Sequence, residues 1–198
     1  MYLYGAGGHA KVVRDILNSC GVTVVGVIDD DPNISSFMGM PVVHSLEGVD
    51  EVIVCIGNSA SRRKTVGRLK ALNIKFGQAI HPSAQISPYV QIGEGSVVMP
   101  GTVVNSGSVV GCHCIINSGA VVEHDSQLGD YVHISPNATL CGDVHVGSDT
   151  WIGAGTVVAQ GINIGTNCMI GAGSVVLCDI PDGVVAYGTP CRIIRNQE

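Results

Sequence analysis

Two short stretches of the 198-residue chain carry side chains suited to chemistry. The first is Gly5-Ala6-Gly7-Gly8-His9-Ala10, a G-x-G-x-x-A pattern directly after the strand-like MYLYG. Glycines let a backbone approach a phosphate, and the N-terminus of a following helix favours an anion. Asp29-Asp30-Asp31 closes the next apolar stretch, VTVVGVI over 22–28. Carboxylates there can accept hydrogen bonds from ribose hydroxyls or a base. Together these residues fit a nucleotide, although the glycines alone also suit a tightly packed turn. The second stretch is His124-Asp125, with Gly142 eighteen residues further on. A histidine titrating near pH 6.5 can move a proton at neutral pH. A glycine N–H can meet negative charge that develops on an acyl oxygen.

The remaining histidines and the cysteines offer less. His113 and His145 are expected in solvent, His44 and His81 at element ends in structural roles. Eight Cys occur without a CxxC pair or a His at finger spacing, so no metal site is expected. Most of these thiols are expected to be buried. Cys114 and Cys168 should point inward. Cys141 lies outward beside Gly142 but lacks the partners of a nucleophile.

The elements that must position these residues follow from periodicity. Stepping by six from Ile80 to Val176 meets Ile, Leu or Val at all seventeen positions. Three residues after each aliphatic the chain favours Gly, Asn or Asp, which tolerate positive φ. A corner every six residues and three hexapeptides per coil define a parallel β-helix of nearly six coils. No repeat is interrupted by a long loop. Five consecutive outward positions, Val97, Val103, Val109, Ile115 and Val121, are apolar. An apolar outer surface needs covering, and a homotrimer packed along the prism axes would cover it.

The first 75 residues read differently. Strand-like stretches at 1–5, 22–28 and 51–57 alternate with helical spacing over His9–Cys20 and Ser59–Leu72. That order implies a small parallel sheet of βαβ units. The chain therefore divides into an α/β domain, 1–78, and a β-helix with a C-terminal tail, 79–198. A dinucleotide-dependent dehydrogenase and a sugar-nucleotide pocket both fit the first part. A closed prism cannot present a substrate to a nicotinamide, so the sugar-nucleotide reading uses both parts better.

Composition sets the outer bounds. Hydrophobic residues make up 45% and mean hydropathy is +0.36, which excludes disorder. No run reaches the ~18 apolar residues of a membrane span. No basic leader segment precedes the first strand, so a cytoplasmic setting is expected. All ten Lys and Arg lie at 11–75 or at Arg192 and Arg195. A basic face for nucleic acid is absent from the prism.

The glycine loop through Lys11, Ile28-Asp29-Asp30, Ile56-Gly57-Asn58, the hexapeptides with Glu123-His124-Asp125, and Gly188-Thr189-Pro190 together resemble one family. It is the sugar O- and N-acyltransferases of sialic acid O-acetyltransferase type. The UDP-4-amino-sugar N-acetyltransferase of bacillosamine synthesis is a member, and the pattern is nearest to it. The resemblance implies a Rossmann-like domain followed by a left-handed parallel β-helix. It implies acetyl transfer from acetyl-CoA to a nucleotide-activated sugar, in a trimer with sites between subunits. Gly7, Gly8 and His9 would line the nucleotide-sugar, Asp29 and Asp30 its base and ribose, and Ile56, Gly57 and Asn58 would complete that pocket. His124 would be the general base with Asp125 beside it, and Gly142 N–H would face the thioester oxygen. Asn117 and His133 would lie near the acetyl group, and Ala154 and Ala172 along the pantetheine arm. Coenzyme A carries phosphates, so Arg192 and Arg195 are the cations expected to meet them on a tail folded back along the last coils. A sugar O-acetyltransferase and a non-catalytic nucleotide-sugar-binding trimer remain the alternatives.

Overall fold

The computed structural model describes residues 1–197, so Glu198, the end of the second expected domain, lies outside them. The N-terminal part contains β1 (Tyr2–Tyr4), α1 (Gly8–Ser19), β2 (Gly26–Ile28), β3 (Ser36–Phe37), β4 (Met40–Val43), β5 (Glu51–Val54), α2 (Ser59–Ala71) and β6 (Lys75–Phe76). The strands form one sheet in the order β3-β4-β2-β1-β5-β6. All neighbours pair in parallel except β3 with β4.

In α1, Ala10, Val13, Ile16 and Leu17 fall on one face and are buried. Gly21, at φ 70, ends the helix and donates its N–H to Asn18 O. The expected strand over 22–28 is shorter because Val22 N–H also closes onto the helix, at Leu17 O. The β3–β4 hairpin was not foreseen. Its turn is Met38-Gly39, at φ 47 and 81, and Met gives none of the usual hairpin signal.

The β-helix begins at Ala79–Ile80. Its first face stacks Ala79–Ile80, Val97–Val98, Ile115–Ile116, His133–Ile134, Trp151–Ile152 and Met169–Ile170, then Val184–Tyr187 and Arg192–Asn196. The second face stacks six strands from Gln85–Ile86 to Val175–Val176, and the third stacks five from Gln91–Ile92 to Asn163–Ile164. Partners are eighteen residues apart, as in Val97 with Ile115 and Ile116 with Ile134. From Gly95 to Gly173, every sixth residue has positive φ, including His113 and Tyr131. The aliphatic of each hexapeptide fills the prism axis. Buried hydroxyls reach the neighbouring coil, as Thr150 Oγ1 donates to Gly165 O at 2.7 Å. That satisfies polar groups a dry core would otherwise strand.

One expectation about the prism surface changes. Val97 and Ile115 are not open to a partner: each is 1% exposed and packs with α1 residues in the core beneath the N-terminal sheet. This chain's own first domain covers the lower part of the first face. Val103, Val109 and Val121 stay half-buried.

Candidate functional site between the sheet and the prism

Gly5 is needed by the backbone, since its φ is 103 and a Cβ would come 3.2 Å from Cys55 O. Gly7, Gly8 and Gly57 are different. A Cβ on any of them meets nothing within 4 Å, and none has a left-handed φ. Their bare backbones border open space, which a turn needing glycine for packing would not leave. The α1 N-terminus has no side-chain cap and no acid in its first turn. Its free N–H groups and positive dipole end therefore suit a phosphate. His9 stands at this rim, and its buried Nε2 has no partner.

The two aspartates are engaged by protein. Asp29 accepts from Ala6 N–H at 2.7 Å and from Asp31 N–H at 2.9 Å, so it holds the glycine loop in shape. Asp30 accepts from Tyr4 OH and pairs with Arg68 at 2.8 Å. Burial and the adjacent Asp29 raise its carboxyl above the usual range. Asn58 Oδ1 accepts from Ser61 N–H at 2.9 Å and caps α2.

The sheet domain meets the first face at His133, which is 7% exposed. Its Nε2 lies 3.1 Å from Asn117 Nδ2, and its ring stacks on Trp151 with centroids 4.7 Å apart. Trp151 Nε1 donates to Ser135 Oγ at 2.6 Å, locking the stack. A groove of about 520 Å³ runs upward from Asn117 and His133 past Trp151 and Met169 to Ala154 and Ala172. Burial first, and the buried Arg62 charge second, depress the rings of His9 to about 4 and His133 to about 3. Both are neutral hydrogen-bonding groups at pH 7.

His124 and Asp125 sit at another corner, between the second and third faces. His124 Nδ1 lies 2.9 Å from Asp125 Oδ2. The carboxylate thus takes the Nδ1–H and leaves the Nε2 lone pair free. The hydrogen bond to Asp125 raises the imidazole above its ordinary value, helped by Glu123 and Asp143. The ring lies against Gly142 one coil away, where a Cβ would come 2.6 Å from Nε2. Gly142 is therefore needed for the ring's position as well as for its expected N–H. Asp125 also has φ 60, so the corner itself favours its residue type.

One chain thus assembles two partial sites. His9 and the Gly57 backbone lie beside His133, at the foot of the groove. His124, Asp125 and Gly142 form a second cluster around the prism. Arg192 and Arg195 lie on the exposed strand that turns back antiparallel on Val184–Tyr187, opposite Tyr187 and Val185. Met169 pairs with Val185 on the same face, so both arginines stand above the groove's upper end.

Other expectations need correcting. His113 is 3% exposed, not solvated: it stacks on Tyr131 and meets Phe76 edge-on beneath the sheet domain. His145, by contrast, is exposed as expected, 3.3 Å from Asp143. Of the cysteines, Cys55, Cys114, Cys168 and Cys191 are buried and Cys20 and Cys178 exposed, so the thiols are less buried than expected. Among the described residues, no three His, Cys, Asp or Glu could hold a metal ion, and no helix is long and apolar enough to cross a membrane. The sequence reading missed Arg62, 1% exposed, and Trp151. The only tryptophan, next to a hexapeptide aliphatic, was the available signal for the latter.

These features define a β-helix of hexapeptide repeats that carries a Rossmann-like α/β domain at its N-terminal end. The chain matches the PglD N-terminal domain over residues 1–69 and the bacterial transferase hexapeptide repeats over 107–142 and 143–178. It is 39% identical over 108 residues to UDP-N-acetylbacillosamine N-acetyltransferase of Bacillus subtilis (strain 168). That match covers 49% of this chain and 50% of the relative, so it spans about half of the relative's length. PerB from Caulobacter crescentus, solved with CoA and GDP-perosamine, superposes with TM-score 0.93 at 39% identity, over 98% of this chain and 96% of that one. The acetyltransferase domain of PglB from Neisseria gonorrhoeae FA1090, solved with acetyl coenzyme A, gives TM-score 0.89 at 39% identity over 98% of both chains. The chain belongs to this PglD-like family of hexapeptide-repeat sugar N-acetyltransferases.

Proposed function

We propose that the protein transfers acetyl from acetyl-CoA to the amino group of a nucleotide-activated amino-sugar, a UDP-4-amino-sugar by preference. The observation that carries this reading is the His124 ring, held by Asp125 at Nδ1 and seated against Gly142 with Nε2 free. The amine nitrogen attacks the thioester carbonyl as His124 Nε2 takes its proton. The C–N bond forms, the C–S bond breaks, and the proton ends on the released thiol. Gly142 N–H faces the oxyanion. The nucleotide lies over Gly7, Gly8 and His9, bounded by Asp29, Asp30 and Ile56–Asn58. The donor's acyl end lies near Asn117 and His133, with its pantetheine along Ala154 and Ala172. The ligands of the Caulobacter and Neisseria relatives support both substrate classes.

The separation of the two clusters calls for a second copy. The second face keeps an outward row of Val103, Val121, Thr139, Val157 and Val175, and Val157 is 41% exposed. A homotrimer would cover that row and bring one subunit's His124 to the groove of the next. Sedimentation at micromolar concentration is expected to give three chains, and a monomer would refute the arrangement. Eight free thiols suit a reducing, cytoplasmic setting. Residues 76–191 carry no Lys or Arg, which gives nucleic acid no basic face on those coils.

Incubation with acetyl-CoA and a panel of UDP-, GDP-, dTDP- and CMP-sugars, read by mass spectrometry, tests the reading. Addition of acetyl to an amine supports it. Acetyl on a hydroxyl would favour the O-acetyltransferase, and no thiol release with any sugar would favour a binding trimer. Two further results are expected. Asp125→Asn should lower the acid-side pKa of kcat/KM, because the carboxylate is the main cause of the raised His124 value. An unmoved limb would remove Asp125 from the mechanism. Arg192→Ala with Arg195→Ala should raise KM for acetyl-CoA about fivefold at moderate salt, on the ~1 kcal/mol scale of an exposed ion pair. An unchanged KM would free the tail of any phosphate role.

A further inference from the structure

Among the described residues Arg62 is the largest fully buried side chain, 1% exposed, and no carboxylate of those residues accepts from it. Its guanidinium donates instead to four backbone carbonyls. Nη1 bonds Ile56 O and Gly57 O, both at 2.8 Å. Nε bonds His113 O at 2.9 Å, and Nη2 bonds Tyr131 O at 2.8 Å. The nearby Asp149 is taken by Arg63, at 2.8 and 2.6 Å. A buried cation is costly, and a structural role alone would be served as well by apolar packing.

The four acceptors have a pattern. Ile56 and Gly57 belong to the strap that borders the nucleotide side. His113 and Tyr131 are corners of successive coils, eighteen residues apart. One planar fork therefore ties the strap to two coils at once and sets its height on the prism. Ammonium could not reach all four acceptors, because only guanidinium carries donors in a fixed fork. The charge also opposes protonation of His9 and His133, the two rings flanking the strap.

We infer that Arg62 is a positioning residue for the acceptor substrate: it holds the Ile56–Asn58 strap against the prism so that the nucleotide-sugar is presented to the His133 groove. This rests on the functional reading above. Arg62 touches neither substrate, and the acetyl-CoA groove above His133 is built without it.

The test is Arg62→Lys in the full chain, with UDP, GDP and CoA as calorimetric probes and both substrates titrated kinetically. The affinity for whichever nucleoside diphosphate binds the wild type should fall at least tenfold. KM for the amino-sugar nucleotide should rise in parallel. CoA affinity and KM for acetyl-CoA should stay within twofold. Equal loss toward both substrates, or no loss toward either in a folded variant, would overturn the inference. If Arg62→Lys does not fold, the wild type answers by NMR. The Arg62 Nε–H resonance should shift on adding the nucleoside diphosphate and stay in place on adding CoA, and no shift with either would overturn the inference. A wild type that binds neither UDP nor GDP would overturn the functional reading itself, an outcome separate from a normal Arg62 variant.

Discussion

His124→Ala is expected to lose at least about 10²-fold in kcat with the fold intact, the lower end of what a positioned base contributes. The loss should be clean because the ring is more than half exposed, hydrogen-bonded to Asp125 and resting its edge against the bare Gly142. A companion variant separates placement from chemistry. In Gly142→Ala the base is retained, but the new Cβ would stand 2.6 Å from Nε2 and 2.7 Å from Cε1. The backbone at Gly142 is not left-handed, so alanine brings no strain of its own. The ring must turn away, and a displacement near 1 Å costs about 10²-fold in a positioned reaction. Both variants should melt with the wild type. A His124→Ala protein within threefold of wild-type kcat would eliminate the proposed base. A fully active Gly142→Ala would show that the ring can work from another rotamer.

The second large effect is on stability. His9, His113 and His133 are held neutral, at about 4, about 4 and about 3, chiefly by burial. Each folded-state value lies below the ordinary 6.5, so the unfolded chain binds more protons at acid pH. The stability these rings contribute is complete above about pH 6.5 and is lost as pH falls toward 4 for His9 and His113 and toward 3 for His133. At pH 5 each ring weakens the fold by about 2 kcal/mol, from roughly 1.4 kcal/mol per pH unit. All three stand where the sheet domain meets the prism, so the contact between them should loosen first. Urea midpoints at pH 7 and pH 5 test this: a large fall is expected, and equal midpoints would refute it. Hydrogen exchange should place the earliest loss at Ile56–Asn58 and around Tyr131.

Much of this was legible from residue order. The hexapeptide step fixes strand, corner and inward position with one period, because each coil repeats the same backbone problem. The same step puts Gly142 one coil from His124, a relation in space readable by adding eighteen. The glycine loop announced a backbone that something approaches, and Gly7 and Gly8 do border open space. Arg62 was not legible. A basic residue in a helix rich in Arg and Lys looks solvated, and its four acceptors are carbonyls, which every residue carries. His113 misled for a related reason: its corner position predicts exposure, and only the docked sheet domain buries it.

The sequence by itself determined the two architectures, the corner that carries His124, and the loop that carries the free α1 N-terminus. Those follow from local periodicity and from which residues tolerate each backbone conformation. Only the tertiary structure decided how the two parts meet. It placed α1 over Val97 and Ile115, put the Gly57 strap beside His133, and left His124 at another corner. These outcomes depend on packing between distant segments and on hydrogen bonds to main-chain carbonyls, and neither leaves a period or a motif in the residue order.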